Sequence, residues 1–149
     1  MPVAILLGSK VDLEHADKIA AFLKEYDVAS EIIVASAHKV PEKVVEIVER
    51  LNKSTDPMVV ITVVGMSNGL GGVVAGSCVH PVINCPPFKD QDDYLVNVHS
   101  SLQMPSDVPA MTVLNYKNAA LCALRILGES DGKLRAKLME RIKKIKAEY

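Results

Sequence analysis

Apolar residues fall along this chain in two alternating rhythms, short unbroken runs and longer stretches spaced by three and four, and the alternation repeats from one end to the other. Val3 to Leu7 is a continuous apolar run bounded by Gly8-Ser9. It is too short for a helix and reads as a strand buried on both faces. The period then changes: Leu13, Ala16, Ile19, Ala20 and Leu23 predict an amphipathic helix over Asp12 to Tyr26. Ser9 and Asp12 are spaced as in a capping box, and Asp12 also suits the N-cap itself. Glu31 to Ala35 predicts a second strand, which leads into Ser36-Ala37-His38-Lys39. Pro41, tolerated at a first helical position, then opens a helix through Val44, Val45, Ile47, Val48 and Leu51. Met58 to Val64 is the most β-branched stretch and predicts a third strand, ending at Gly65. Leu70 to Cys78, rich in small residues, predicts a helix packed close to the sheet.

The second half continues the pattern less regularly. Pro81 to Pro87 reads as a short strand stopped by two prolines, and Asp90 to Leu102 as a short helix with Tyr94, Leu95, Val98 and Leu102 on one side. Met111 to Leu114 supplies a fifth strand. Asn118 to Leu127 is apolar nearly all round and predicts a helix buried on more than one face. Lys133 to Tyr149 predicts a charged amphipathic helix carrying Leu134, Leu138, Ile142 and Ile145, long enough to reach beyond its own subunit. Strands alternating with helices imply an α/β fold, an open parallel sheet covered on both faces with right-handed crossovers. No repeat or low-complexity linker divides the chain, so residues 1–149 are read as a single domain.

Composition narrows the function classes. A chain of 149 residues, 49% apolar, can bury a sizeable core. Its net charge of −1 and the absence of a basic face outside the last helix argue against nucleic acid or a membrane surface as partner. The apolar start lacks a basic leader and is far shorter than the roughly 20 residues of a membrane span. A cytoplasmic location is therefore expected. Cys78, Cys85 and Cys122 form no C-x-x-C pair and suit a reducing compartment, as small buried hydrophobes. The sequence offers no metal-ligand cluster, and the expected site is metal-free.

The candidate chemistry collects at strand ends. Gly8-Ser9-Lys10-Val11-Asp12 follows the first strand, Ser36-Ala37-His38-Lys39 the second, and Gly65-Met66-Ser67-Asn68-Gly69-Leu70-Gly71-Gly72 the third. In a parallel sheet all three turns lie on one edge, where open α/β sheets bind ligands. Glycines let backbone N–H groups approach an anion, helix N-termini favour negative charge, and serine hydroxyls add donors. Neither G-x-G-x-x-G nor a Walker A sequence is present, so a sugar monophosphate fits better than a dinucleotide or a nucleoside triphosphate. His15, His80 and His99 lack such a frame and read as helix-face or turn residues. Cys85 beside Pro86-Pro87 reads as structural.

These residues resemble a known family, the aminoimidazole ribonucleotide carboxylases of purine biosynthesis (PurE family), and within it the carbon-dioxide-using class II branch. The pieces that carry the resemblance run in family order over nearly the whole chain. They are Gly8-Ser9 with Asp12, Ser36-Ala37-His38-Lys39, Gly65 with Ser67-Asn68-Gly69-Leu70-Gly71, Cys85-Pro86-Pro87, Ser100-Ser101-Leu102 with Pro105-Ser106, and Thr112-Val113-Leu114. Class I relatives carry a histidine and a Gly-Gly-Ala-Ala run in the third turn, and this chain has no histidine there. Vertebrate class II members have arginine where Met66 stands, so no contact through that side chain is carried over.

The resemblance implies a three-layer flavodoxin-like sheet, a C-terminal helix packing on a neighbouring subunit, and a homo-oligomer, tetramer or octamer. It also implies a reversible lyase reaction without ATP, metal or organic cofactor, in which 5-aminoimidazole ribonucleotide (AIR) and carbon dioxide give the 4-carboxylated ribonucleotide. Ring carbon 4 attacks carbon dioxide and must then lose its proton. An imidazole, with an ordinary pKa of about 6.5, can take that proton and return it, which assigns His38 as general acid/base. Lys39 is then a charge partner for phosphate or carboxylate. Ser9, Asp12, Ser36 and Ser67 position ribose and phosphate, Asn68 and Gly69 face the reacting carbons, and Gly8, Ala37 and Gly65 line the site. Tyr94, His99 and Ser100 are candidates to reach across subunit contacts. Two alternatives stay open: a class I-like mutase acting on the N5-carbamate of AIR, and a non-catalytic flavodoxin-like binding module. Against a response regulator, Gly8-Ser9 and Gly65-Met66 stand where acidic residues would be needed.

Overall fold

The computed structural model describes all residues, 1–149. Five strands form one parallel sheet: β1 (Val3–Leu7), β2 (Ser30–Val34), β3 (Val59–Val63), β4 (Val82–Asn84) and β5 (Met111–Thr112), in the order β2-β1-β3-β4-β5. β1 pairs with both neighbours in register, Leu7 opposite Val34 on one side and Val63 on the other. The chain winds outward from β1 to β2, then crosses back to β3, so strand order reverses between β1 and β3. Loops leaving those strands diverge there and open a crevice at the carboxyl edge.

Six α-helices cover the sheet: α1 (Leu13–Lys24), α2 (Pro41–Asn52), α3 (Gly69–Ser77), α4 (Gln91–Leu102), α5 (Tyr116–Leu127) and α6 (Gly132–Lys146). The buried residues of β1 and β3 alternate between two cores, as the pleat requires. Val3, Ile5, Leu7, Val59, Ile61 and Val63 face a cluster of 20 buried residues closed by α1, α5 and the start of α6. Ala4, Leu6 and Val60 face a smaller cluster of 12 with α2 and α3. Each fully buried branched side chain in these layers contributes about 1.5–3 kcal/mol over its exposed state. Helix starts are satisfied locally. Asn68, Asp90, Asn115 and Asp131 accept hydrogen bonds from backbone N–H groups of α3, α4, α5 and α6, and Pro41 begins α2.

Two local expectations are corrected. Ser9 and Asp12 form no capping box: Ser9 Oγ accepts from the Val11 N–H at 3.4 Å and caps a single 3-10 turn, Lys10–Asp12, while Asp12 stands at the N-cap of α1 without a side-chain cap bond. Helix α5 is not buried on more than one face. Ala119, Ala120, Ala123, Leu124 and Leu127 form one buried stripe, and Lys117, Asn118 and Arg125 are exposed opposite it. Its alanines made the segment look uniformly apolar, but an alanine leaves little surface that needs cover. No helix is long and apolar enough to cross a membrane.

Candidate active site at the carboxyl edge

Hydrogen bonds stitch the three turns together. The Gly8 N–H donates to Val63 O at 3.3 Å and the Ala35 N–H to Leu7 O at 2.9 Å, so the chain leaves β1, β2 and β3 at one level. Gly8 suits that closeness, because a Cβ there would stand 3.3 Å from Val64 Cγ1, a tight contact that would make Val64 shift. The second turn reaches the third through His38. A Cβ on Gly69 would lie 2.7 Å from His38 Nε2 and 2.8 Å from Cε1. The imidazole thus occupies the space that only glycine leaves free, yet remains exposed to solvent. Ser36 and Ala37 beside it are half-buried, and Lys39 is exposed.

The third turn is held from below and from the side. Met66 adopts a left-handed backbone with φ of 59°, uncommon for a residue with a Cβ, and its side chain is exposed. Ser100 Oγ on α4 donates to Met66 O at 2.9 Å and accepts from the Asn68 N–H at 3.1 Å, clamping the strained residue between two contacts. Asn68 Oδ1 accepts from the Gly71 N–H at 2.8 Å, and Asn68 Nδ2 donates to Ser101 Oγ at 2.9 Å. Asn68 is 5% exposed. The expectation that its side chain faces reacting carbons is therefore corrected: both ends of the amide are spent inside the protein, and the residue builds the turn. Ser100, half-buried, spends its hydroxyl on the same turn.

On the β1 side, Asp12 is half-buried, and loss of solvent pushes its carboxyl above the ordinary value, with the positive charge of Lys89 pulling back. Lys89 follows the two prolines after β4, whose Pro87 lies 3.9 Å from where a Cβ of Gly65 would sit. It brings a cation to this edge that the motif reading missed; it lies in a loop with no pattern to mark it. Ser9 and Gly65 are half-buried and Ser67 is exposed. Gly8, Ser9, Asp12, Ser36, Ala37, His38, Lys39, Gly65, Ser67 and Gly69 all belong to this edge.

His80, His15 and Cys85 have other employments, and His99 is exposed on α4. His80 Nε2 lies 3.0 Å from Leu51 O at the opposite end of the sheet. His15 is held toward its neutral form, first by burial and then by Lys18, and its Nε2 lies 3.4 Å from Cys85 Sγ. Burial pushes the Cys85 thiol up to about 12, so it stays protonated and inert as a nucleophile. No group of three His, Cys, Asp or Glu side chains converges to hold a metal ion. A groove of about 640 Å³, lined by Pro2, Val28, Leu127 and Leu134, sits at the amino ends of the strands and has no histidine in its lining. It is the chemistry of its side chains that makes the carboxyl edge the candidate site.

Comparison with known proteins bears on the family of the whole chain. The sequence profile of the AIR carboxylase family matches residues 2–148. A phosphoribosylaminoimidazole carboxylase of Archaeoglobus fulgidus is 39% identical over 140 residues, covering 94% of this chain and 76% of that protein. A bifunctional phosphoribosylaminoimidazole carboxylase/phosphoribosylaminoimidazole succinocarboxamide synthetase of Drosophila melanogaster is 43% identical over 141 residues, 92% of this chain but 33% of the fly protein. The chain thus spans about a third of the bifunctional relative and about three quarters of the archaeal one. The crystal structure of Treponema denticola PurE superposes with a TM-score of 0.91 at 36% identity, covering 98% of this chain and 92% of that one.

Proposed function

The chain belongs to the AIR carboxylase family, and from that premise we propose that it carboxylates AIR at ring carbon 4 with free carbon dioxide, as a class II enzyme. The amino group of AIR raises electron density at carbon 4, which attacks carbon dioxide to form a carbon–carbon bond. The tetrahedral carbon then transfers its proton to the neutral His38 imidazole, aromaticity returns, and the imidazolium releases the proton to solvent. The reverse sequence decarboxylates. No step transfers a phosphoryl group or electrons to a second molecule, so neither ATP nor a redox cofactor enters.

The observation that carries this reading is the seat of His38: an exposed imidazole resting on Gly69, where the turns after β1, β2 and β3 meet. Ser9, Ser36, Ala37, Gly65 and Ser67 offer backbone N–H groups and hydroxyls for the ribose phosphate, Gly8 lets the ligand approach the β1 turn closely, and Lys39 offers a charge to the phosphate or the new carboxylate. Asp12 would take a ribose hydroxyl. Holding carbon dioxide beside carbon 4 supplies the larger part of the rate, because the gas has no charge to be gripped by. With His38, Lys39 and Ser67 exposed, this edge does not exclude water alone, and further copies of the chain supply the walls. The exposed apolar residues Leu95, Val96 and Leu102 on α4, and Met139, Ile142 and Ile145 on α6, suit such a homo-oligomer. Cytoplasmic purine synthesis is the setting.

The test gives the purified protein AIR with bicarbonate/carbon dioxide in one vessel and the N5-carbamate of AIR, free of dissolved carbon dioxide, in another. Formation of the carboxylated ribonucleotide in the first is expected. Turnover in the second alone would make the protein a mutase. Sedimentation velocity reads the assembly, and a monomer at working concentration would remove the shared walls.

A further inference from the structure

The apolar character of the sheet fails at one place that the proposed chemistry does not use. Thr62 on β3 and Asn84 on β4 are partners in register and are 1% and 0% exposed. They follow Val60 and Val82 on the α2/α3 face, where the pleat would next call for branched hydrocarbon. Thr62 Oγ1 donates to Asn84 Oδ1 at 2.6 Å, while Asn84 Nδ2 is buried with no hydrogen-bond partner. A fold that keeps an unpaired amide donor in its interior gains something by the amide that a valine or leucine would not give.

What lies over that amide is the first turn of α3. A Cβ on Gly71 would collide with Asn84 Oδ1 and stand 2.6 Å from Asn68 Oδ1. The helix start therefore rests directly on two side-chain amides. Asn84 is fixed to β3 by Thr62, and Asn68 is fixed to α4 by Ser101, which is itself bound at its carbonyl by Thr112 Oγ1 at 2.9 Å. Gly69, the seat of the His38 ring, lies between Asn68 and Gly71 in the chain. Its height above the sheet is thus set by a polar stack that runs from β3 through β4 to the helix start.

We propose that Thr62 and Asn84 are positioning residues for the reaction: their buried hydrogen bond sets the height of the α3 start and so the place of the His38 imidazole relative to substrate carbon. This rests on the reading of His38 as the proton carrier. The hydroxyl, not the volume, of Thr62 is what matters, so the pair Thr62→Val and Thr62→Ser separates positioning from packing. In Thr62→Val, kcat for AIR carboxylation should fall about tenfold, since small displacements of reacting groups carry such penalties. KM for the ribonucleotide should stay within about twofold, and Thr62→Ser should recover most of the loss. In ¹H–¹⁵N spectra of the histidine rings, Thr62→Val should move the His38 signals and leave those of His80, at the far end of β4, in place. A Thr62→Val protein that keeps kcat, or loses it only by unfolding, overturns the proposal, as does a Thr62→Ser protein equally impaired. If the unmodified chain is inert toward AIR, the functional reading fails instead, and the ring spectra alone decide the network: unmoved His38 signals refute it.

Discussion

The two faces of the sheet are built to different rules. On the face covered by α1, α5 and α6, every inward position of β1, β3 and β4 is hydrocarbon, from Val3, Ile5 and Leu7 to Ile83, and Cys85 just past β4 adds a buried thiol. On the face covered by α2 and α3, hydrocarbon gives way at the carboxyl end to Thr62 and Asn84, and the helix above begins with glycine instead of a large side chain. The first arrangement maximises buried apolar area. The second gives up area and leaves a donor unpaired, in exchange for a helix start held close to the sheet. Stability is thus concentrated on one face and geometry on the other, and substitutions on the two should separate in what they damage.

The sharpest break in that comparison is at His38. On the proposed mechanism, His38→Asn should lower turnover by about 10²–10⁴-fold while leaving the melting temperature and ribonucleotide binding nearly unchanged, because the ring is exposed and supplies proton transfer, not packing. Steady-state kinetics with calorimetric binding reads both. Near-normal turnover would remove the imidazole from the chemistry. The opposite face should answer in the opposite way. Leu124→Ala in α5, at a side chain with no exposure, should cost about 2–5 kcal/mol of stability in a denaturant titration and leave kcat of the surviving folded protein within about twofold. A large fall in kcat there would show that the two faces are coupled after all.

Gly71→Ala tests the boundary between the two rules. The added methyl group meets Asn84 and Asn68 at once, and neither amide can retreat without breaking its own hydrogen bond. A cost of about 1–3 kcal/mol is expected from the overpacking, together with a loss of turnover that Leu124→Ala does not show. Thermal melts and kinetics on the same preparations distinguish this from a loss of stability alone.

How much of this could be read before folding differs between the faces as well. The first and third strands are legible in the sequence because Val3–Leu7 is an unbroken apolar run and Met58 to Val64 is the most β-branched stretch of the chain. The turns after β1, β2 and β3 were visible because glycine, serine or histidine follows those strands directly. The polar stack was not. Thr62 interrupts a β-branched run in the guise of another β-branched residue, and Asn84 looks like a strand end; only the register of β3 against β4 makes them a pair. Asn68 was assigned to the ligand because its motif lies in the right turn, whereas which way an amide points is settled by neighbours distant in sequence, here Ser100 and Ser101. Helix α5 misled for a different reason, since counting alanine as apolar does not distinguish a residue that needs cover from one that merely tolerates it.

The smallest expected effect concerns Asp12, which sits between the two rules: it heads α1 on the stabilising face and stands at the carboxyl edge. Burial raises its carboxyl above the ordinary 3.8, and Lys89 only partly offsets this. A group whose folded value exceeds its unfolded one holds its proton longer in the folded state, so the fold is relatively favoured below the window and loses stability as pH rises through it. At neutral pH the ionised carboxylate is therefore a burden on the fold, lightened by the solvent that still reaches it. Asp12→Asn removes the burden and breaks no cap, because the Asp12 side chain makes no cap bond. The variant should melt slightly higher than the unmodified protein at pH 7, and the difference should close as pH falls below 3.8, where both carry a neutral group. It should at the same time bind the ribonucleotide more weakly if the carboxylate grips a ribose hydroxyl. A variant that melts lower at pH 7 would mean that the attraction of Lys89 outweighs burial, and would make Asp12 part of the scaffold instead of a concession to the site.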